Sequence, residues 1–161
     1  MLYLLDANVL IRAHADYYGI DQVPQFWEWL LKTAAIGHVK MPFEIHQEIA
    51  ISSDPLGKWI SETEVKNVLI LDEEADQDVV NHVLEQGYGK NLTDSDLEKI
   101  GQDPFLIAYG LQQKDRIVVT KEVSAPSRTR ANRKIPDVCH DLGVGWLKDF
   151  DFFKIAGFKA K

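Results

Sequence analysis

Carboxylate side chains follow two short apolar runs that have the character of buried parallel strands. Asp6 comes directly after residues 3–5, and Glu122 closes the segment 120–122 that follows residues 117–119. Functional groups gather beyond the carboxyl ends of parallel strands, so we expect these acids to lie close together. Mg²⁺ and Mn²⁺ prefer carboxylate and water oxygens, and such ions assist phosphodiester hydrolysis. The spacing therefore predicts a site for metal-assisted hydrolysis.

Two further acids stand at helix positions from which they could join this edge. Asp103 opens an apolar helical pattern, and Glu48 lies in a short helix after a proline. These acids also have simpler interpretations. Asp6 and Asp103 could cap the helices that follow them, with Pro104 as the first helical residue after Asp103. Glu44, one helical turn before Glu48, is an alternative candidate for the metal-binding acid of this helix.

A basic segment lies between the apolar run at residues 117–119 and the helical pattern at residues 135–142. Residues 124–134 lack hydrophobic periodicity and contain Arg128, Arg130, Arg133 and Lys134. These side chains could contact RNA phosphates, whereas the simpler interpretation is a solvated loop. The net charge of −7 argues against a nucleic-acid partner unless the basic residues are concentrated locally.

Short apolar runs alternate with amphipathic helical patterns along the chain. This order predicts an α/β fold, a sandwich with a mainly parallel sheet, built as a single domain over residues 1–161. The predicted strands are residues 3–5, 68–71, 117–119 and 144–147. The predicted helices are residues 24–35, 42–50, 55–63, 76–85, the segment from 103 onward, 135–142 and 150–155.

The composition bounds the compartment and the metal chemistry. A 45% apolar content with four tryptophans is enough to bury a core. A single cysteine, Cys139, fits a reducing cytosol, and the five scattered histidines make a zinc site improbable. The apolar start is too short for a signal peptide, and no segment reaches the length of a membrane span. We therefore expect a cytoplasmic protein with no membrane association.

Several motifs, taken in order, resemble those of PIN domains, the fold of VapC-type ribonuclease toxins. A glutamate before an aliphatic residue, an aspartate opening an Ile-Ala helix and a strand ending in Thr-x-acid all occur in the family's order. The closing Ile-Pro-Asp-Val-Cys is similar to a poorly characterised bacterial branch of that superfamily. These motifs are residues 4–11, 48–49, 103–109, 118–122 and 134–139.

The resemblance implies a three-layer PIN-like sandwich and a set of site residues. It places Asp6, Glu48, Asp103 and Glu122 at the catalytic metal-binding positions, with Asn8 and Thr120 as polar helpers. The family usually has aspartate at the fourth position. Glutamate reaches one methylene further, so Asp137 is an alternative fourth acid.

The activity implied by the resemblance is that of an Mg²⁺- or Mn²⁺-dependent endoribonuclease. Such a protein would be the toxin of a toxin-antitoxin pair, neutralised by a protein antitoxin encoded alongside, and often a homodimer. The alternative is a non-catalytic PIN-fold module that binds RNA or protein. The acidic net charge and the glutamate at position 122 favour that alternative.

Overall fold

Four short parallel strands form one sheet in the computed structural model, which describes residues 1–159. The strands are β1 (Leu2–Leu5), β2 (Val39–Lys40), β3 (Arg116–Thr120) and β4 (Gly145–Lys148). Their order across the sheet is β2-β1-β3-β4, and every pairing is parallel. The chain leaves β1 toward β2 on one side and later returns to β3 on the other side. The crevice between the ends of β1 and β3 is therefore the point where the strand order reverses, which is where open α/β sheets bind ligands.

Helices connect the strands and cover the sheet. They are α1 (Ala7–Arg12), α2 (Pro24–Ala35), α3 (Phe43–Ala50), α4 (Pro55–Ile60), α5 (Thr63–Leu69), α6 (Gln77–His82), α7 (Asp94–Ile100), α8 (Asp103–Gln112), α9 (Ile135–Leu142) and α10 (Asp149–Ile155). Wider helical turns extend α1 over Ala13–Tyr17 and α6 over Val83–Tyr88, and a short 3₁₀ turn spans Arg130–Asn132.

The sheet lies between two helical layers, because side chains along a strand alternate between its faces. Leu4 and Val118 are paired in register and share one face. Gly110 of α8 packs on that face so closely that a Cβ there would lie 3.4 Å from a Val118 methyl carbon. On the other face, the ring of Tyr3 contacts Phe152 of α10 at 4.9 Å between centroids. The predicted α/β three-layer sandwich with a parallel central sheet is confirmed.

The predicted strand over residues 68–71 is wrong. Residues 63–69 form α5, with Val65 and Leu69 buried one turn apart, and Ile70 makes only an isolated bridge to Met41. The second strand is instead β2, which is too short to leave a pattern in the sequence. A short apolar run does not by itself distinguish a strand from a buried helix end.

The described helices, in residues 1–159, include none with the length and apolar character needed to cross a membrane.

Candidate metal centre

Asp6 lies where β1 ends and α1 begins. It occupies the N-cap position of α1, but its side chain makes no capping hydrogen bond to that helix. Its carboxylate instead accepts a hydrogen bond from the hydroxyl of Thr120, at 2.9 Å, across the gap between β1 and β3. The residue is only 4% exposed. Asp6 thus occupies the cap position that the capping interpretation requires, but its side chain binds Thr120 at the end of β3 instead of the helix.

Thr120, the last residue of β3, connects the polar groups at this edge. While its hydroxyl donates to Asp6, the oxygen accepts from the Asn8 side-chain amide at 3.3 Å and from the Glu122 backbone N–H at 3.1 Å. One donated and two accepted hydrogen bonds use the full capacity of a hydroxyl. The Asn8 oxygen in turn accepts from the Lys121 backbone N–H at 3.0 Å. This network fixes the segment after β3 against the start of α1.

Asp103 is the first residue of α8, and the N-cap position belongs to Gln102. The prediction that Asp103 is an N-cap followed by proline at the first helical position is therefore wrong by one residue. Pro104 is inside the first turn, because its missing N–H leaves no intrahelical hydrogen bond unmade there. Capping therefore does not explain why a carboxylate occupies this half-buried position.

The carboxylates of Asp6 and Asp103 are held in an environment that disfavours their charge. Burial raises the pKa of Asp6 to about 7, against the lowering effect of the Thr120 hydrogen bond, and the charges of Glu122 and Glu48 add to the rise. Burial also raises the pKa of Asp103 to about 8, with further increases from the charges of Asp6, Glu122 and Glu48. Charge effects weaken with distance, so Glu48 and Glu122 lie near enough to both aspartates for their charges to act on them.

Glu48 belongs to α3, and its side chain is exposed. Partial burial of the carboxyl group itself still raises its pKa. Glu44, its competitor, is directed elsewhere, because its carboxylate accepts a hydrogen bond from the Tyr109 hydroxyl at 3.0 Å. The two glutamates thus differ, because Glu44 binds the Tyr109 hydroxyl whereas the charge of Glu48 acts on both aspartates.

Glu122 and Asp137 also have different surroundings. The Glu122 carboxylate accepts a hydrogen bond from the Ile135 backbone N–H at 3.2 Å, at the start of α9. Asp137 is 9% exposed, and its carboxylate accepts from the Ser124 hydroxyl and from the Ala125 N–H. Asp137 therefore ties down the segment after β3, whereas the charge of Glu122 acts on both aspartates of the site.

Some side chains of the basic segment make contacts within the protein, and others are exposed to solvent. Arg130 donates to the backbone carbonyls of residues 90 and 91, and Arg133 donates to that of residue 87 and pairs with Asp141. Arg128 is exposed. Lys134 is half-buried at the N-cap position of α9, and its charge partly offsets the rise in the pKa of Asp103.

Tyr88 is a residue of this region that the sequence analysis did not identify. It is 4% exposed, and its hydroxyl has no hydrogen-bond partner among the described residues. Burial raises its pKa well above the ordinary value, with further increases from the charges of Asp103 and Glu122. Its position between two glycines was a visible signal in the sequence, but nothing in that pattern places it beside the acids.

The described carboxylates do not form a compact coordination shell. Within residues 1–159, no three His, Cys, Asp or Glu side chains are grouped as ligands of one ion. Mg²⁺ commonly takes one or two carboxylates and keeps several waters. Asp6 and Asp103 have the appropriate hard oxygen donors, and a cation between them would offset the repulsion that raises their pKa values.

Comparison with known proteins identifies the family but no activity. A family model described as "Domain of unknown function (DUF4411)" matches residues 3–160, so the chain belongs to that family. No curated protein matches the chain.

Proposed function

We propose that this protein is a PIN-like endoribonuclease that depends on Mg²⁺ or Mn²⁺. The observation that supports the proposal most strongly is the pair of shielded aspartates, Asp6 and Asp103, at the reversal point of a parallel sheet. Holding two carboxylates together in a buried place is unfavourable unless a cation compensates them. A purely structural role gives no reason for the charges of two further acids, Glu48 and Glu122, to act on both aspartates.

In this proposal Asp6 and Asp103 hold the ion and the other groups orient them. A bound Mg²⁺ or Mn²⁺ would polarise the scissile phosphodiester and lower the pKa of a coordinated water. Thr120 fixes the orientation of Asp6 through its donated hydrogen bond. Glu122, held by the N–H of Ile135, would accept a proton or orient a water at the rim of the site.

The basic residues would place the RNA backbone. Arg128 is exposed, and Lys134 lies close enough to Asp103 to affect its pKa. Lys134 would therefore contact phosphate next to the acids, and Arg128 would contact it further along the strand. Arg130 and Arg133 would hold the basic segment against residues 87–91, because their guanidinium groups donate hydrogen bonds to backbone carbonyls there. A basic stretch of this kind can bind RNA despite the net charge of −7.

The biological setting follows the same proposal. The PIN-like features favour a cytoplasmic toxin held inactive by a protein antitoxin, and a homodimer is the expected assembly. The competing function is a non-catalytic RNA- or protein-binding module. The net charge and the use of Glu122 to bind the Ile135 N–H favour it.

The test of the proposed activity is the chemistry of the RNA ends. Purified protein would be incubated with a labelled single-stranded RNA in Mn²⁺, and the fragments would be analysed by mass spectrometry. Attack by water with departure of the 3′ oxygen predicts fragments with 5′-phosphate and 3′-hydroxyl ends. Fragments with 2′,3′-cyclic phosphate ends would instead indicate attack by the ribose 2′-hydroxyl, and the metal-assisted hydrolysis would be rejected. Intact RNA would favour the binding module.

A further inference from the structure

The hydroxyl of Tyr88 is a buried polar group that the proposed activity does not use. It is shielded from solvent and has no hydrogen-bond partner in the described part of the chain. Leaving such a group unpaired costs free energy, and native proteins retain few of them. Tyr109 provides the ordinary case within the same protein, because its hydroxyl donates to Glu44 at 3.0 Å.

The backbone around Tyr88 is held firmly in place. The preceding carbonyl, that of Gly87, accepts a hydrogen bond from Arg133. Gly87 itself approaches α9 so closely that a Cβ there would lie 2.6 Å from a methyl carbon of Val138. The helical turn that ends at Tyr88 packs against both α8 and α9. These contacts fix the backbone next to Tyr88, and the side chain itself is buried.

The turn that ends at Tyr88 packs against α8, the helix whose first residue is Asp103. Among the charges that raise the pKa of Tyr88, that of Asp103 has the largest effect, followed by that of Glu122. Asp103 opens α8, one of the two helices on which the Tyr88 turn packs. A phenol can donate one hydrogen bond, and a carboxylate that gives one oxygen to a cation still has acceptor capacity on the other.

We propose that Tyr88 is a positioning residue whose hydroxyl donates a hydrogen bond to Asp103 when that carboxylate binds a divalent cation. The hydroxyl has no competing partner among the described residues, so it is available to donate to the Asp103 oxygen that does not bind the cation. The bond would hold the carboxylate in its metal-binding orientation. Groups that orient metal ligands in this way typically change metal affinity about 10- to 100-fold when removed. The inference rests on the proposed metal centre.

The test uses Tyr88→Phe, which keeps the ring and removes the hydroxyl. Mn²⁺ affinity would be measured from the loss of the free-ion electron paramagnetic resonance signal, and stability from the melting temperature in chelator. We expect Tyr88→Phe to bind Mn²⁺ about 10-fold or more weakly, with an unchanged or higher melting temperature. Tyr109→Phe is the matched control. It loses a real hydrogen bond, so its melting temperature should fall while its Mn²⁺ affinity stays that of the wild type.

The outcomes separate this inference from the proposed function. Equal Mn²⁺ affinity in Tyr88→Phe and wild type, with Asp103→Asn unable to bind, would overturn the role of Tyr88 and leave the metal centre standing. A lower melting temperature of Tyr88→Phe in chelator would mean that the hydroxyl is already paired, which also overturns the inference. A wild-type protein that binds no Mn²⁺ would refute the metal centre and this role together.

Discussion

Replacing Asp103 by asparagine separates a metal ligand from a structural residue. The two side chains have nearly the same shape, so the packing at the start of α8 should be retained. Asparagine removes the charge and offers only a neutral oxygen, which is a poor ligand for a hard divalent ion. We therefore expect Asp103→Asn to increase the stability of the metal-free protein and to abolish its stabilisation by metal.

The size of the increase follows from the protonation of Asp103. In the folded protein its pKa is raised from 3.8 to about 8, so the native carboxylate is largely protonated at pH 7, whereas the unfolded chain is charged. Each pKa unit between 3.8 and 7 is worth about 1.4 kcal/mol, which gives a destabilisation of at most about 4 kcal/mol. Asparagine still buries an amide, so we expect a gain of about 2 kcal/mol. For a chain of this size that is a rise of about 4–8 °C in melting temperature.

The assay is thermal unfolding at pH 7, in chelator and in Mn²⁺. Asp94→Asn is the matched control, because Asp94 is likewise the first residue of its helix, α7, but is exposed. It should lose a little stability through the helix dipole and keep the wild-type response to Mn²⁺. An Asp103→Asn protein that is less stable than wild type in chelator, and still fully stabilised by Mn²⁺, would refute the assignment of Asp103 as a ligand.

Three further predictions concern the same site. Asp6 and Asp103 bind protons more tightly in the folded protein than in the unfolded chain. Stability in chelator should therefore fall as pH rises from about 4 to about 8, and stabilisation by Mn²⁺ should grow over the same interval. Melting temperatures that rise with pH in chelator would contradict this. Thr120→Val should cost about 1–3 kcal/mol of unfolding free energy in denaturant titration, because it leaves buried partners unpaired. The control is Thr33→Val, since the buried Thr33 hydroxyl makes a single hydrogen bond, to the Trp29 carbonyl of its own helix; a cost for Thr120→Val no larger than that of the control would refute the role of the network. Arg128→Ala should lower the salt slope of log affinity for single-stranded RNA by about 0.7, whereas Arg130→Ala should mainly lower stability; equal slopes in wild type and Arg128→Ala would return Arg128 to a solvated loop.

The parallel sheet could be predicted because its central strands are buried on both faces. Leu4 and Leu5 of β1, like Val118 and Val119 of β3, are fully buried, and they form continuous apolar runs. The run at residues 68–71 has the same composition but ends α5, since its buried residues follow a helical spacing. Local pattern alone could not separate these cases, because the deciding contacts come from the rest of the fold.

The site was partly predictable for a similar reason. Asp6 directly follows β1 and Thr120 ends the paired strand β3, so their proximity follows from the parallel register. The helix start at Asp103 was predicted, but the N-cap position was assigned one residue too late, because a proline is tolerated at more than one position of a first turn. Tyr88 could not be placed from sequence, since the absence of a partner for its hydroxyl depends on three packed segments.

The most direct test of the central claim is a metal add-back assay of RNA cleavage. The protein would be treated with chelator, dialysed and mixed with a fluorophore-quencher single-stranded RNA, before and after addition of Mn²⁺. Asp6→Asn, which changes the more deeply buried aspartate, would be assayed in parallel. The account predicts no cleavage after chelation, recovery with Mn²⁺ in the wild type, and no recovery in Asp6→Asn. Cleavage that persists in chelator, or that Asp6→Asn performs at the wild-type rate, would contradict it.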